Sequence, residues 1–292
     1  MDYSEITKKL SKDINPQDIK LRVSEVLKNA GKYNNKEVYE RCFASVDLTS
    51  LNTIDSSESI KRFARKAADF RSEFPHLPNM ASLCVYPVFV DTVGLTLGDS
   101  EISITSVGGC FPSSQSYLEV KMLECSMAEE NGADEIDIVM NLGLFADGQY
   151  DAAANEIEII RQELDEGTLL KVIIESGVLG SLTEIRKAAV LTMAAGADFV
   201  KTSTGKNGVG ATPEAVMVIC DAVKDYFECT GEKIGVKVSG GIRTAEETAG
   251  YYAIVDSVLG QDWLTPQLFR IGASSLANDL LSKIEGKDIN YF

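Results

Sequence analysis

The chain has 292 residues, 45% of them apolar and 25% charged, with 28 basic against 44 acidic side chains and a formal net charge of −16. Such a composition belongs to a globular protein with a full core, and the acidic excess excludes broad binding to nucleic acid, whose phosphates are held by clustered Lys and Arg. One histidine and six scattered cysteines without a CxxC pair exclude a zinc centre of the usual kind.

Residues 1–20 are charged throughout and lack the apolar core of a signal peptide, and no 18 apolar residues run together, so no membrane association is expected. The cysteines, at 42, 84, 110, 125, 220 and 229, are expected to be reduced thiols of a cytoplasmic protein. His76, bracketed by Pro75 and Pro78, reads as a surface-loop residue rather than the base of a hydrolase triad.

In chain order, the first 40 residues read as helical. Asn15 followed by Pro16 has the form of an N-cap with proline at the first helical position. Ile19, Val23, Val26 and Leu27 then recur at helical spacing until Gly31 ends the pattern. Beyond this, short apolar strands alternate with longer amphipathic stretches. Strands are expected at 43–47, 83–86, 102–107, 135–140, 170–175, 199–204, 235–239 and 269–272. Helices are expected at 60–70, 116–131, 152–164, 182–194, 212–226 and 245–258. Strict alternation with short connections implies a parallel sheet, and eight such units in about 250 residues have the size of a (β/α)8 TIM barrel. The expected α/β organisation is an N-terminal helical extension over 1–41 and a barrel catalytic domain over 42–292. A doubly wound open sheet is the competing fold, but the turn at Asp47-Leu48-Thr49-Ser50 lacks the glycines it would want.

Side chains alternate between the two faces of a strand, and in a barrel one face packs on helices while the other fills the interior. With Ile136, Ile138, Val172, Ile174, Val200, Val236, Val238 and Val46 facing the helices, the interior receives Glu135, Asp137, Lys171, Glu175, Lys201, Lys237 and Asp47. Any one of these could be a satisfied ion pair or a snorkelling side chain. Several convergent charges carry a large desolvation penalty and collect where chemistry is done. A free lysine with pKa about 10.4 is neutral in only about one molecule in 2,500 at pH 7. Burial beside a second ammonium lowers it toward the nucleophilic amine that attacks carbonyls. The run Val200-Lys201-Thr202-Ser203-Thr204-Gly205-Lys206 places such a lysine in an apolar, β-branched strand. By spacing alone Lys171, Lys201 and Lys237 are all eligible, and a carboxylate such as Asp137 could move protons.

Three glycine-bearing turns follow the last three strands, at Thr204-Gly205-Lys206, at Gly240-Gly241-Ile242-Arg243 and at Gly272-Ala273-Ser274-Ser275. Glycine admits backbone amides close to an anion, helix N-termini attract negative charge, and barrels commonly bind phosphate after strands 7 and 8. Lys206 and Arg243 add local positive charge to this cradle.

These segments together resemble the deoxyribose-phosphate aldolase family, class I aldolases on a (β/α)8 barrel. The resemblance runs in order through Asp47-Leu48-Thr49-Ser50-Leu51-Asn52, Cys84-Val85-Tyr86-Pro87, Gly132-Ala133-Asp134-Glu135-Ile136-Asp137 and Lys171-Val172-Ile173-Ile174-Glu175. It continues through the Lys201 run, Gly235-Val236-Lys237, Ser239-Gly240-Gly241-Ile242-Arg243-Thr244 and Arg270-Ile271-Gly272-Ala273-Ser274-Ser275, spanning about residues 42–284. It implies that Lys201 forms the Schiff base, that Lys237 depresses its pKa, and that Asp137 works with a water in a proton relay. It further implies that Gly205, Lys206, Gly240, Gly241, Arg243, Gly272, Ser274 and Ser275 surround a phosphate, with Lys171 also among the substrate-binding residues. Asp47, Thr49 and Cys84 would line the pocket around the sugar or aldehyde. The implied reaction is reversible cleavage of 2-deoxy-D-ribose 5-phosphate to D-glyceraldehyde 3-phosphate and acetaldehyde, with no metal or cofactor.

Two alternatives stand beside it: another lysine-dependent aldolase with a different phosphorylated aldehyde acceptor, and a non-catalytic sugar-phosphate-binding barrel. Val238 replaces the Pro or Ala more usual in the family, with only a packing effect expected. The family's C-terminal Tyr often reaches the active site; Tyr291 here precedes Phe292 and reads as part of a frayed end. The N-terminal extension is longer than in compact members and is a candidate barrel cap or homodimer contact.

Overall fold

Eight short parallel strands close on themselves in sequential order, the eighth hydrogen-bonded back to the first. A computed structural model describes residues 3–10 and 12–292; residues 1, 2 and 11 of the expected extension lie outside the described residues. The strands are β1 Val46–Thr49, β2 Ser82–Val85, β3 Ser103–Val107, β4 Glu135–Val139, β5 Leu169–Ile173, β6 Phe199–Lys201, β7 Gly235–Ser239 and β8 Phe269–Ala273. The fold is therefore the expected (β/α)8 barrel, and closure removes the open-sheet alternative.

Three helices precede the barrel: α1 Tyr3–Leu10, α2 Pro16–Lys28 and α3 Lys36–Ala44. Asn15 caps α2 by accepting from the Gln17 amide, as the Asn-Pro pair predicts. α3 corrects the first expected strand, which was to begin at Phe43. Asn35 caps this helix, and Val38, Tyr39, Cys42 and Phe43 form its buried stripe. The run from Cys42 to Val46 is apolar enough for either state, and the cap eight residues upstream decides it. The 41/42 boundary thus falls inside a helix.

Around the barrel follow α4 Ser57–Glu73, α5 Val90–Leu97, α6 Leu118–Glu130, α7 Leu142–Ala146, α8 Tyr150–Glu163, α9 Leu182–Ala194, α10 Pro213–Thr230, α11 Ala245–Leu259 and α12 Leu276–Glu285. α5, α7 and α12 are additions to the helices expected from periodicity; the longest has 10 residues. No helix among the described residues is long and apolar enough to cross a membrane.

The N-terminal helices wrap the outside of this ring: α1 lies on α9, α2 on α10 and α11, and α3 on α11 and α12. Polar clamps hold them there. Buried Arg186 donates through Nε to the Leu10 carbonyl at 2.9 Å and pairs with Asp225, which Lys12 also contacts at 2.8 Å. The chain's other end is ordered too, against the expectation of fraying. Tyr291 packs edge-on and Phe292 tilted against Phe70 of α4 at ring distances of 5.9 and 5.8 Å, and the Tyr291 hydroxyl donates to the Lys66 carbonyl. His76 lies in the α4–β2 loop against Glu285, exposed as expected.

Strand register stacks the inward side chains in layers of four contributed by alternate strands, as (β/α)8 barrels require. Ser82, Glu135, Phe199 and Arg270 make the lowest layer. Asp47, Thr105, Lys171 and Lys237 make the middle layer. Cys84, Asp137, Lys201 and Gly272 make the upper layer. The outward faces carry Val46, Ile136, Ile138, Val172, Val200 and Val236 into the apolar shell beneath the helices, as alternation predicts.

Gly235 opens β7 where the Phe199 ring fills the floor. A Cβ at 235 would come within 2.3 Å of that ring, which is 1% exposed and has nowhere to move. Gly235→Ala is expected to cost about 1–3 kcal/mol, read as a fall of several degrees in Tm; an unchanged Tm would show that the floor can yield.

Candidate active site

The middle and upper layers hold most of the barrel's buried charge. Lys201, at the end of β6, donates to Asp137 Oδ2 at 2.6 Å. Lys237 donates to the same oxygen at 2.7 Å and lies 2.5 Å from Asp47 Oδ2. Lys171 donates to Asp137 Oδ1 at 3.0 Å and lies 2.5 Å from Glu135. Arg270 completes the cluster, donating to Asp47 at 2.6 Å and forking onto Glu135 at 2.6 and 3.1 Å.

The three lysines that spacing could not separate differ in this setting. Lys171 and Lys237 are fully buried, whereas Lys201 is 4% exposed and alone among them lines the cavity at the barrel mouth. Burial, and then the neighbouring Lys237 ammonium, push the Lys201 amine below its ordinary pKa against the pull of Asp137. Lys237 moves the other way: burial opposes its charge, but Asp137 and Asp47 together overcome that and hold it as an ammonium. Despite complete burial, Asp137 stays well below the usual carboxylate range because Lys171, Lys201 and Lys237 all face it. Asp47 is likewise held low by Arg270, Lys237 and Lys171.

The cavity has a volume of about 240 Å³. Its wall contains every residue expected around a phosphate: Gly205 and Lys206 after β6, Gly240, Gly241 and Arg243 after β7, and Gly272, Ser274 and Ser275 after β8. Gly240 has φ +93°, and a Cβ there would meet the Gly210 backbone at 2.8 Å, so two loops touch through their glycines. Ser274 and Ser275 line the cavity at the N-terminus of α12, where the first amides lack intrahelical partners. Lys206 spans the mouth, its Nζ donating to the Leu51 carbonyl.

Gly272 lines the cavity at a position its neighbours leave no room to enlarge. It occupies the upper layer beside Lys201, and a Cβ in its place would lie 2.9 Å from Ser239 Cβ and 3.3 Å from Lys237 Cε. Glu175 is buried past the end of β5 at φ +48°. It accepts from the Thr204 amide at 3.1 Å and from Asn207 at 2.9 Å, bracing the loop that carries Gly205 and Lys206.

Three expected lining residues sit elsewhere. Thr49 does line the cavity, but Asp47 and Cys84 are fully buried beneath it, and Lys171 has no face on it. Asp47 works as the counter-ion of Lys237 and Arg270. The Cys84 thiol packs with Leu51 and Val107, and burial pushes its pKa up. Lys171 lies in the middle layer because its strand is staggered half a layer below β4 and above β6. Tyr291 docks on α4. Two residues of the cluster had no expected role. Glu135 was placed inside without a function, and Arg270 was not placed at all, although Phe269 and Ile271 facing outward would have turned it inward by the same alternation. Among the described residues no group of three or more potential metal ligands converges.

Comparison with known proteins agrees with this geometry. Residues 43–280 match the family model described as DeoC/LacD family aldolase. The deoxyribose-phosphate aldolase of Mus musculus is 41% identical over 249 residues, 82% of this chain and 78% of that protein. The solved structure of an aldolase designated QR15 superposes with a TM-score of 0.68 at 31% identity, covering 83% of this chain and 96% of its own. The tetrameric deoxyribose phosphate aldolase from Aeropyrum pernix gives 0.69 at 26% identity, covering 88% and 96%. A barrel with a lysine of lowered basicity at its mouth, matched over most of its length, belongs to the DeoC/LacD family of aldolases.

Proposed function

We propose that this aldolase reversibly cleaves 2-deoxy-D-ribose 5-phosphate into D-glyceraldehyde 3-phosphate and acetaldehyde through a Schiff base on Lys201. The single observation that carries this reading is that Lys201, of three interior lysines, reaches the cavity with a depressed pKa. The 41% identity to a deoxyribose-phosphate aldolase supports the substrate. A second lysine-dependent aldolase reaction would need a different sugar pocket; nothing in the cavity favours one.

The neutral Lys201 amine attacks the C1 aldehyde, and loss of water gives an iminium ion. A base takes the C3 hydroxyl proton, the C2–C3 bond breaks, and its electrons pass into an enamine. D-glyceraldehyde 3-phosphate leaves, the enamine takes a proton at C2, and hydrolysis frees acetaldehyde. Asp137 presents to Lys201 the oxygen it also presents to Lys237, so protons shed or taken up at the Lys201 nitrogen as water is lost can pass over that carboxylate, while Lys237 keeps its own proton. Asp137 acts with a water at the substrate end. No redox change occurs and no cofactor is required by the balance. The phosphate rests among the glycine turns, Ser274 and Ser275, with Lys206 and Arg243 as local cations. We also place the enzyme in the cytoplasm, on the free state of all six cysteines.

Borohydride reduction with acetaldehyde, followed by peptide mapping, is expected to label Lys201; a label on Lys171 or Lys237 would overturn the assignment. In Lys237→Leu a like charge beside Lys201 is lost, so its pKa should rise. The amine fraction and kcat/KM then fall near pH 7 and recover as pH increases, a change visible in the pH–rate profile. Arg243→Ala removes a charge-assisted contact worth about 1.5–3 kcal/mol. It should raise KM for the 5-phosphate by ~tenfold or more while leaving turnover of unphosphorylated deoxyribose nearly unchanged.

A further inference from the structure

Arg270 occupies the lowest layer, on the opposite side of the charged stack from the cavity. It is 5% exposed and held from every side. Beyond its bonds to Asp47 and Glu135, its Nε donates to the Pro266 carbonyl, and its guanidinium lies over the Phe199 ring at 5.8 Å. Arginine keeps its proton in such settings, so its charge is fixed.

The stack contains four cations, Lys171, Lys201, Lys237 and Arg270, against three carboxylates, Asp47, Glu135 and Asp137, an excess of one positive charge. Lys201 is faced by Asp137 from β4, Lys237 from β7 and the neutral Cys84 thiol from β2. Behind these stand Lys171 from β5, Asp47 from β1, Glu135 from β4 and Arg270 from β8. Glu175, beyond β5, is turned to Thr204 and Asn207. Arg270 cannot deprotonate, and Lys237 touches two carboxylates. Lys201 has only the shared Asp137 oxygen and is the cation open to the cavity. Without Arg270, cations and carboxylates would balance, and Asp47 and Glu135 would add to the negative field holding the Lys201 proton.

We propose that Arg270 is a positioning residue for the aldol reaction: by occupying Asp47 and Glu135 from below, it leaves Lys201 as the surplus cation that gives up its proton. The proposal rests on the Schiff-base reading of Lys201 and deepens it. Arg270 itself touches no substrate.

The test is the pH dependence of borohydride trapping of acetaldehyde on Lys201, with folding followed by circular dichroism. Arg270→Met should move the acid limb of the trapping rate up by about one pH unit, a ~tenfold slower reaction at pH 7. Arg270→Lys keeps the charge and should keep the limb near that of the wild type. Glu135→Gln adds to the positive excess and should move the limb down. The Arg270→Met/Glu135→Gln pair restores an excess of one and should return the limb toward the wild type, whereas damage of a merely structural kind would accumulate. An unmoved limb in folded Arg270→Met, or a double variant no closer to wild type than the single, overturns the proposal. Should Arg270→Met fail to fold, a Glu135→Gln limb that does not move down overturns it. Absence of a Lys201 adduct in the wild type would instead overturn the Schiff-base reading, so the two failures are distinguishable.

Discussion

One carboxylate, Asp137, accepts from three lysine ammoniums at 2.6, 2.7 and 3.0 Å in a fully buried site. A carboxylate has enough lone pairs for this, but only one charge. Each ammonium receives a share of a counter-ion, and the desolvation of all three must be offset by that share and by what Asp47 and Glu135 add. The partition is unequal. Lys171 and Lys237 each lie against a second carboxylate at 2.5 Å, and Lys201 does not. The lysine with the weakest claim on negative charge is therefore the one at the mouth. On the proposed reading, its reactivity follows from how the layers share charge and from the Lys237 ammonium beside it.

The same site must take up an anion at the surface of a chain that carries −16. The distances resolve this. Most of the acidic excess is solvated and screened over about 8 Å at physiological ionic strength. The rim, where we propose the phosphate rests, is built from glycine turns, a helix N-terminus and two basic side chains within one cavity of about 240 Å³. Local amides and dipoles act at contact distance, where the global charge is a weak background. The two ends of the cavity thus use different physics: fixed dipoles at the rim, a shared counter-ion at the base.

The outer shell gives this interior its rigidity. Helices cover the apolar face of every strand, α1, α2 and α3 lie over α9 to α12, and the C-terminal aromatics seal α4. Buried ionic clusters hold their geometry only when the backbone around them cannot relax. Glu175 shows the same economy at the loop level. A buried carboxylate outside the charged stack spends its hydrogen bonds on the backbone and side chains of the loop beside the cavity.

Alternation with period two, a property of each strand by itself, was enough to place Asp137, Lys171, Lys201, Lys237 and Asp47 on one face, and glycine chemistry was enough to mark the turns at 205, 240 and 272. These signals are local, so the sequence carries them without help, and Arg270 was within their reach. The first strand was misjudged by three residues because an apolar run bridging helix and strand has no period of its own. The stagger between neighbouring strands is a different kind of quantity. It arises when eight strands tilt to close a barrel, and no single strand encodes it. Only that stagger puts Lys201 in the upper layer, sets Lys171, Lys237 and Asp47 one level down, and brings Gly272 against Ser239 and Lys237, where a Cβ would crowd both. The sequence determined which charges enter the interior; closure of the barrel decided which of them reaches the cavity.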